Sequence, residues 1–333
     1  MVNGSEARLT PVSDPIGTHE RPLLVVVVGP TAVGKTAAAI QIASALQTEI
    51  VNADSRQVYR KMALGTAQPD AQERAAIPHH FIDFVDPSHL YSAGQFEAHA
   101  LAWLNHWFLH HRTAVLSGGS GLYVKAVLEG LDEMPADLEI RSQLNHRLQA
   151  EGLESLANEL EKLDPVSARR MDLCNPQRVI RALEVCLASG EPLSNFHQHA
   201  PQQRAFDTWV IGLKRDRAQL NQRINARVLQ MIDDGLEAEV AALQPMRTEN
   251  ALQTVGFQEW NAYFDGLASR ESVIEEIQLR TRQFAKRQMT WFQKMPGIQW
   301  FDAEHTENIL AALEVECAKR QWSIPLLNGT LKS

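Results

Sequence analysis

The sequence predicts an α/β protein with a parallel-sheet core, a helical insertion domain and a helical C-terminal region. Two observations support this prediction. Over residues 22–130, apolar β-branched stretches alternate with helical patterns, which is typical of strands joined by crossover helices. Residues 131–200 then hold helical patterns and no convincing strand, and a further apolar stretch, Phe206–Leu213, resumes the core.

The first part of the core is predicted to contain three strands and two helices. Leu23–Val28 is apolar throughout, as expected of a strand that is buried on both faces of a parallel sheet. Lys35–Leu46 has the pattern of a helix, and Glu49–Asn52 that of a short strand. Apolar residues recur at helical spacing between Gln95 and His111, and Thr113–Leu116 is a third apolar strand.

The other regions differ in composition. Residues 1–21 lack periodicity and are predicted to be a flexible arm. In the insertion, one helix is predicted to begin at Asn175-Pro176 and to end at Gly190, since proline favours the first turn and glycine follows the last. Residues 201–320 are predicted to hold the returning strand and then mostly helices, with a tail at 321–333.

Composition excludes several classes of protein. The chain has 333 residues with Asp+Glu 40 against Lys+Arg 32, a net charge of −8 that argues against a basic nucleic-acid coat. Its 3 cysteines include no C-x-x-C pair, so neither a disulfide framework nor a zinc finger is supported. The longest apolar run is far too short to cross a membrane, and the N-terminus lacks a secretion signal. We therefore expect a cytoplasmic protein with no membrane partner.

The segment after the first strand matches G-x-x-x-x-G-K-[ST] at every fixed position. It reads Gly29, Pro30, Thr31, Ala32, Val33, Gly34, Lys35 and Thr36. In this motif, a P-loop, backbone N–H groups and the helix N-terminus bind phosphate oxygens, the lysine adds a positive charge, and the threonine hydroxyl binds Mg²⁺. The motif therefore indicates a phosphate compound, without specifying which one.

The acidic residue of the site is expected at Asp54. Many proteins with this loop carry a magnesium-binding Asp after a later strand, but Thr113–Leu116 runs into Ser-Gly-Gly instead. Asp54 follows the second strand, and strand ends on this side of a sheet lie near the phosphate crevice. It is placed to act as a base or a metal ligand, and the alternative is an ordinary helix N-cap.

Six segments occur in an order and spacing that resemble one family. They are Gly29–Thr36, Asp54–Tyr59, Ser117–Tyr123, Asn175–Glu184, Thr254–Glu259 and Lys286–Phe292. Together they resemble the IPP transferase family, the bacterial tRNA dimethylallyltransferases, from about residue 23 to residue 302. Ser120 stands where the family usually has threonine, which keeps the hydroxyl group.

The resemblance implies transfer of a dimethylallyl group from dimethylallyl diphosphate to N6 of adenine 37, in tRNAs that read UNN codons. Asp54 would be the general base, with Ser120 beside it. Lys35 and Arg223 would stabilise the departing diphosphate, and Thr36 would hold Mg²⁺. A monomer with a mobile insertion would bind the anticodon stem-loop.

The expected tRNA contacts come from four parts of the chain. Ile277–Phe301 contains Arg280, Arg282, Lys286, Arg287 and Lys294 without an acid, interleaved with Phe284, Trp291, Phe292 and Trp300. The alternative for this region is a solvated basic helix whose aromatic side chains face the core. The residues expected to contact tRNA are Asp54, Ser55, Arg56, Gln57, Ser120, Gln177, Arg178, Val179, Ile180, Arg181, Lys286, Arg287, Gln288, Met289, Thr290, Trp291 and Phe292.

Three other functions stay open at this point. A small-metabolite kinase would use the phosphate loop for ATP, but it leaves the basic aromatic helix unexplained. A prenyltransferase acting on free AMP or ADP would not need the long insertion. A non-catalytic RNA-binding protein would have no use for intact Lys35, Thr36, Asp54 and Ser120.

Overall fold

The computed structural model describes residues 21–132, 134–196 and 201–322. They form two compact units, one made of the described residues up to Val127 and from Arg204 onward, the other of Leu128–Gln203. The arm predicted at residues 1–21 lies outside the described residues except for Arg21. The same holds for the predicted tail at 321–333, except for Gln321 and Trp322.

The N-terminal part of the chain alternates strands and helices. In order it contains β1 (Leu23–Val28), α1 (Lys35–Leu46), β2 (Ile50–Asn52), α2 (Ala71–Ala76), β3 (His79–His80), α3 (Ala93–Trp107), β4 (Thr113–Gly118) and α4 (Gly121–Glu129). The predicted bounds of β1 and α1 are confirmed, and β4 extends further than predicted, to Gly118. The short elements α2 and β3 were not predicted.

The unit Leu128–Gln203 is helical. It contains α5 (Leu138–Glu151), α6 (Leu153–Leu163), α7 (Pro165–Arg170) and α8 (Pro176–Ser189). The predicted ends of α8 are confirmed: the Asn175 side chain accepts a hydrogen bond from the Arg178 N–H, and Gly190 ends the helix in the left-handed conformation. Leucine and valine side chains of α5, α6 and α8 form its core.

The C-terminal part returns to the sheet and is otherwise mostly helical, as predicted. It contains β5 (Asp207–Lys214), α9 (Arg217–Asp233), α10 (Leu236–Leu243), α11 (Trp260–Phe264), α12 (Arg270–Phe292), β6 (Ile298–Asp302) and α13 (Thr306–Lys319). Strand β6 was not predicted. Trp300, expected among the aromatic residues of the basic helix, lies on this strand, where its ring occupies the space beside Gly212.

The six strands form one sheet in the order β3-β2-β4-β1-β5-β6, and every pairing is parallel. This confirms the predicted α/β class. Val28 at the end of β1 pairs with Gly118 of β4 and Gly212 of β5, and Asn52 of β2 pairs with Ser117. The carboxyl ends of β1, β2 and β4 therefore reach one edge of the sheet together.

A core of side chains from β1, β5, α1 and α13 supports this edge from one face of the sheet. All six residues of β1 are fully buried, as a central strand of a parallel sheet requires. Among the described residues, no helix has both the length and the apolar character needed to cross a membrane.

Candidate functional site

Three loops meet where β1, β2 and β4 end. They are the phosphate loop (Gly29–Thr36), the Asp54 turn (Asp54–Gln57) and the glycine loop (Gly118–Gly121). Gly118 lies against the backbone of the residue before Asp54, since a Cβ at Gly118 would lie 2.1 Å from the carbonyl oxygen of Ala53. The Ser120 N–H also donates to that oxygen at 3.2 Å. Any side chain at Gly118 would push the two loops apart.

The end of the phosphate loop presents uncapped amides of the first turn of α1 to an anion. Gly29 (φ 150°) and Gly34 (φ 116°) adopt backbone conformations that side chains disfavour, which explains the two fixed glycines of the motif. Gly34 is the N-cap of α1 and supplies no side-chain acceptor, and the first turn of α1 has no acidic residue. The amide groups there consequently have neither a side-chain cap nor a neighbouring carboxylate to compete with a phosphate group.

Lys35 is held over this loop. Its Nζ donates to the carbonyl oxygen of Pro30 at 2.8 Å. Burial lowers the pKa of Lys35 to about 8, a shift that Asp54 opposes and Arg227 increases. A dianionic ligand beside the amine would stabilise its charged form, so the site favours phosphate binding.

Asp54 and Ser120 face the same cavity from neighbouring strands. One carboxylate oxygen of Asp54 accepts hydrogen bonds from the N–H groups of Arg56 (2.9 Å) and Gln57 (3.4 Å). Asp54 thus caps a turn rather than the helix that the sequence left as an alternative, and this role uses only Oδ1. The Ser120 hydroxyl accepts from the Ser55 N–H at 2.8 Å and donates to the Ser55 hydroxyl at 3.1 Å. Ser120 is thereby fixed to the residue that follows Asp54.

The side chains of Arg56 and Gln57 also stabilise neighbouring segments. Arg56 Nη1 donates to the carbonyl oxygen of Asn250 at 2.7 Å, and Gln57 Nε2 donates to that of Ala67 at 2.7 Å. Burial lowers the pKa of Arg56. Both residues line the cavity, so their expected contact with tRNA stays a prediction, and the structure adds a positioning role for each.

Helix α9 contributes two arginines to the phosphate loop. Arg223 Nε donates to the carbonyl oxygen of Ala32 at 2.9 Å, which places this predicted residue at the loop. Arg227 Nη1 lies 3.5 Å from the Thr31 hydroxyl, and burial lowers the pKa of Arg227 while Asp54 opposes the shift. Arg227 was not predicted. Its position four residues after Arg223, on the same helix face, is the signal that the sequence offered for it, and this signal does not separate a ligand from a solvated residue.

All these groups line one cavity of about 980 Å³. Its walls come from the three loops, from α9 and α12, and from residues 65–73 and 253–258. Lys35, Arg223 and Arg227 lie at the phosphate loop, and Asp54 and Ser120 line the same cavity from the Asp54 turn and the glycine loop, with Asp54 close enough to oppose the pKa shifts of Lys35 and Arg227. The cavity therefore combines cations for a phosphorylated ligand with a carboxylate that can take up a proton.

Helix α12 divides the predicted tRNA contacts between two faces. Lys286, Arg287, Thr290 and Trp291 are exposed, and Met289 is half-buried. Phe292 is fully buried, and Gln288 is 7% exposed although it lines the cavity, so their expected contact with tRNA stays a prediction and the structure adds a further role for each. Phe292 belongs to the core, and Gln288 hydrogen-bonds to the phosphate loop and the glycine loop.

Two other cations of α12 already have partners. Arg280 forms an ion pair with Glu276 one turn earlier, and Arg282 donates to Asn225 Oδ1 at 2.6 Å. The acid-free stretch in the sequence therefore begins just after the carboxylate that neutralises its first arginine. Besides Arg280, the exposed cations of the acid-free stretch on this helix are Lys286 and Arg287.

In the helical unit, only part of the predicted set is exposed. Gln177 and Arg178 are exposed in the first turn of α8. Val179 and Ile180 are 0% and 2% exposed and pack in the core of the unit, so their expected contact with tRNA stays a prediction and the structure adds a packing role. Arg181 forms an ion pair with the buried Glu184 at 3.0 Å and donates to the carbonyl oxygen of Pro135 at 2.9 Å, which adds a structural role to its expected contact with tRNA.

Comparison with known proteins agrees with this arrangement. The profile of the family described as IPP transferase matches residues 57–295. The chain is 46% identical over 293 residues to the tRNA dimethylallyltransferase of Christiangramia forsetii, covering 87% of this chain and 97% of the relative. It is 42% identical to that of Cytophaga hutchinsonii, covering 88% and 97%.

Solved structures show the same similarity. The full-length tRNA isopentenylpyrophosphate transferase of Bacillus halodurans is 35% identical with a TM-score of 0.65, covering 90% of this chain and 99% of that one. A eukaryotic dimethylallyltransferase that was captured acting on tRNA is 26% identical with a TM-score of 0.73, covering 92% and 81%.

Proposed function

The chain belongs to the IPP transferase family, and from this membership we propose that it transfers a dimethylallyl group from dimethylallyl diphosphate to tRNA. The acceptor is N6 of adenine 37 in tRNAs that read UNN codons, and diphosphate is released. The observation that carries the proposal is the cavity itself, where cations at the phosphate loop line the same space as Asp54 and Ser120 on the neighbouring loops.

The reaction needs charge stabilisation at one end and a base at the other. The bond between C1 of the dimethylallyl group and the bridging oxygen breaks, and its electron pair leaves with the diphosphate. The phosphate-loop amides, Lys35, Arg223 and Arg227 stabilise the negative charge that develops there. The nitrogen lone pair of N6 forms the new bond to C1, and an N6 proton passes to Asp54.

Mg²⁺ is the cofactor that the phosphate loop suggests, and the donor chemistry of the cavity suits it. The Thr36 hydroxyl lines the cavity, and Mg²⁺ takes few protein oxygens and completes its coordination with water and substrate phosphates. Among the described residues there is no group of three or more His, Cys, Asp or Glu side chains that could hold a metal ion. Thr36 would hold the ion, which supplies charge neutralisation at the diphosphate.

Recognition of tRNA would combine phosphate contacts with contacts to an extruded base. Adenine 37 is stacked in the anticodon loop, so it has to leave the stack before its N6 can reach Asp54. Lys286, Arg287 and Arg178 are exposed cations on two helices, and Trp291 offers an exposed ring for stacking. Affinity for the stem-loop should therefore fall steeply with rising salt, and affinity that stays constant would contradict this part of the proposal.

One labelling experiment tests the function against its alternatives. The protein is incubated with radiolabelled dimethylallyl diphosphate and unmodified tRNA, tRNA with guanine at position 37, or AMP. We expect label only in the unmodified tRNA, released as N6-dimethylallyladenosine after digestion. Label in AMP would indicate a free-nucleotide prenyltransferase, and ADP released from ATP in a parallel reaction would indicate a kinase.

Two expectations about the protein as a whole belong to the same proposal. We propose that it acts as a monomer in the cytoplasm, where its tRNA substrate is. Light scattering during size-exclusion chromatography tests the first point, with a mass of 37.3 kDa expected, and cell fractionation tests the second.

A further inference from the structure

Gln288 is a buried polar side chain that joins two of the three loops of the site. Its Oε1 accepts a hydrogen bond from the Thr31 N–H at 2.8 Å, and its Nε2 donates to the carbonyl oxygen of Gly119 at 2.9 Å. Its side chain comes from α12, 169 residues from Gly119 and 257 from Thr31 along the chain. It therefore bridges the phosphate loop and the glycine loop directly.

The bridge requires a side chain with one acceptor and one donor in a fixed arrangement. Thr31 presents an N–H group and Gly119 presents a carbonyl oxygen, so a carboxamide satisfies both. A carboxylate would place an oxygen against the Gly119 carbonyl oxygen, and an apolar side chain would leave both buried backbone groups without this partner. The Thr31 N–H and the Gly119 carbonyl oxygen together therefore favour glutamine over other residues of similar size.

The glycine loop is shaped to admit α12 at this point. A Cβ at Gly119 would lie 2.4 Å from Gln288 Nε2, and a Cβ at Gly121 would lie 2.1 Å from Trp291 Nε1. Ser120 lies between these two glycines and bonds to Ser55 of the Asp54 turn. The two glycines therefore let α12 lie against the loop that carries the Ser120 hydroxyl.

The bridge lies between the groups that have to act together. Lys35 Nζ is 3.6 Å from where a Cβ of Gly119 would be, so the contact is next to the amine that binds the diphosphate. On one side of Gln288 is the loop that holds the leaving group, and on the other is the loop that holds Ser120 beside Asp54. A displacement of about 1 Å between reacting groups can cost about 10²-fold in rate.

We propose, on the basis of the proposed function, that Gln288 is a positioning residue for prenyl transfer. Its carboxamide fixes the phosphate loop relative to the glycine loop, so that the donor carbon and the acceptor amine meet in line. It acts through the two loops, since both of its polar atoms are engaged by their backbone groups. Its loss should lower kcat while substrate binding changes little, because the groups that bind the diphosphate and the tRNA stay in place.

The test compares Gln288→Met with Gln283→Met in the full chain. Gln283 is an exposed glutamine on the same helix, and within the described residues its side chain has no hydrogen-bond partner. We expect Gln288→Met to lower kcat about 10²-fold, with the KM for dimethylallyl diphosphate and the Kd for the stem-loop within about threefold of wild type. Gln283→Met should match wild type, and thermal melting confirms that both variants fold.

A second variant separates positioning from simple packing. In Gln288→Glu, a protonated carboxyl group has one donor and one acceptor and can restore both bonds, whereas the carboxylate cannot. The ratio of its kcat to that of wild type should rise as the pH falls from about 8 to about 6, and the ratio for Gln288→Met should stay constant. A third variant tests the contact from the other side. Gly119→Ala places a methyl group against Nε2 of Gln288, so it should also lower kcat. In a Gln288→Ala background the same substitution should lower kcat by a much smaller factor.

The outcomes distinguish this inference from the proposed function. If wild type transfers no label to tRNA, the proposed function is refuted. If wild type is active and Gln288→Met keeps kcat within about threefold, or if the Gln288→Glu ratio does not change with pH, the positioning role is refuted.

Discussion

The lowered pKa of Lys35 predicts that donor binding is coupled to proton uptake. In the free protein, burial brings the pKa of this amine from 10.5 to about 8. A bound diphosphate places opposite charge beside the amine and should raise the pKa again. The bound state then holds more protons than the free state, so donor affinity should fall as the pH rises through about 8.

The size of the effect follows from the pKa. At about pH 9, only about one tenth of the free amines carry a proton, so binding should take up about 0.9 proton if the bound amine returns to its ordinary pKa. At about pH 7, the amine is already charged and its uptake should be about 0.1 proton or less. Between about pH 8 and pH 10, the affinity should fall about 40-fold in total, or about sixfold per pH unit.

Titration calorimetry measures this uptake directly. Dimethylallyl diphosphate is titrated into the protein at both pH values, in two buffers whose ionisation enthalpies differ, and the difference in heat gives the protons taken up. Lys35→Met should bind weakly and take up no extra proton at the higher pH. Lys125→Met removes an exposed lysine outside the cavity and should behave as wild type. Equal affinity at both pH values, with no uptake in wild type, would refute the reasoning.

Three further predictions concern the base, the tRNA contacts and the helical unit. Asp54→Asn keeps the Oδ1 acceptor of its turn but removes the base, so the single-turnover rate of prenyl transfer should fall about 10²–10⁴-fold. Binding of the stem-loop, measured by filter assay, should not change. A rate near that of wild type would refute the role of Asp54. Arg178→Gln should reduce the slope of log affinity for tRNA against log salt concentration by about one. Arg181→Gln should chiefly lower thermal stability, because it breaks the ion pair with Glu184. The reverse pattern would contradict the two assignments. Glu184→Gln should destabilise the chain by about 3 kcal/mol in urea unfolding, because it leaves two arginines without their buried carboxylate; an unchanged midpoint would show that this ion pair contributes nothing.

Features that depend on neighbours in the chain were predictable from the sequence. Both β1 and α1 have the predicted bounds because a fully buried strand, a glycine loop and an amphipathic helix each leave a local signal. The short strands β3 and β6 leave no such signal. The two residues of β3, His79 and His80, are half-buried and pair with the edge of β2, and β6 is only partly buried at the opposite edge. Their strand conformation is set by the partner rather than by their own sequence.

The candidate site was predictable in its chemistry and less so in its contacts. Lys35, Asp54, Ser120 and Arg223 line one cavity although they come from three strands and a helix, because parallel strands end at one edge. Arg227 escaped prediction because an arginine one turn from another is as common on a solvated helix as at a ligand. Only the packing of α9 on the phosphate loop distinguishes the two.

The motif Lys286–Phe292 shows why a continuous stretch of sequence need not have a single role. Successive residues of a helix point about 100° apart, so a run of seven residues covers every direction around the axis. Lys286, Arg287 and Thr290 point to solvent, while Gln288 and Phe292, four residues apart, point into the protein. Substitutions on the exposed face should therefore change tRNA affinity and its salt dependence, and substitutions on the buried face should change turnover or stability. Residues that share a role therefore share a face of the helix. A motif that spans both faces contains two sets of residues with different roles, and only the contacts of α12 in the structure show which residue belongs to which set.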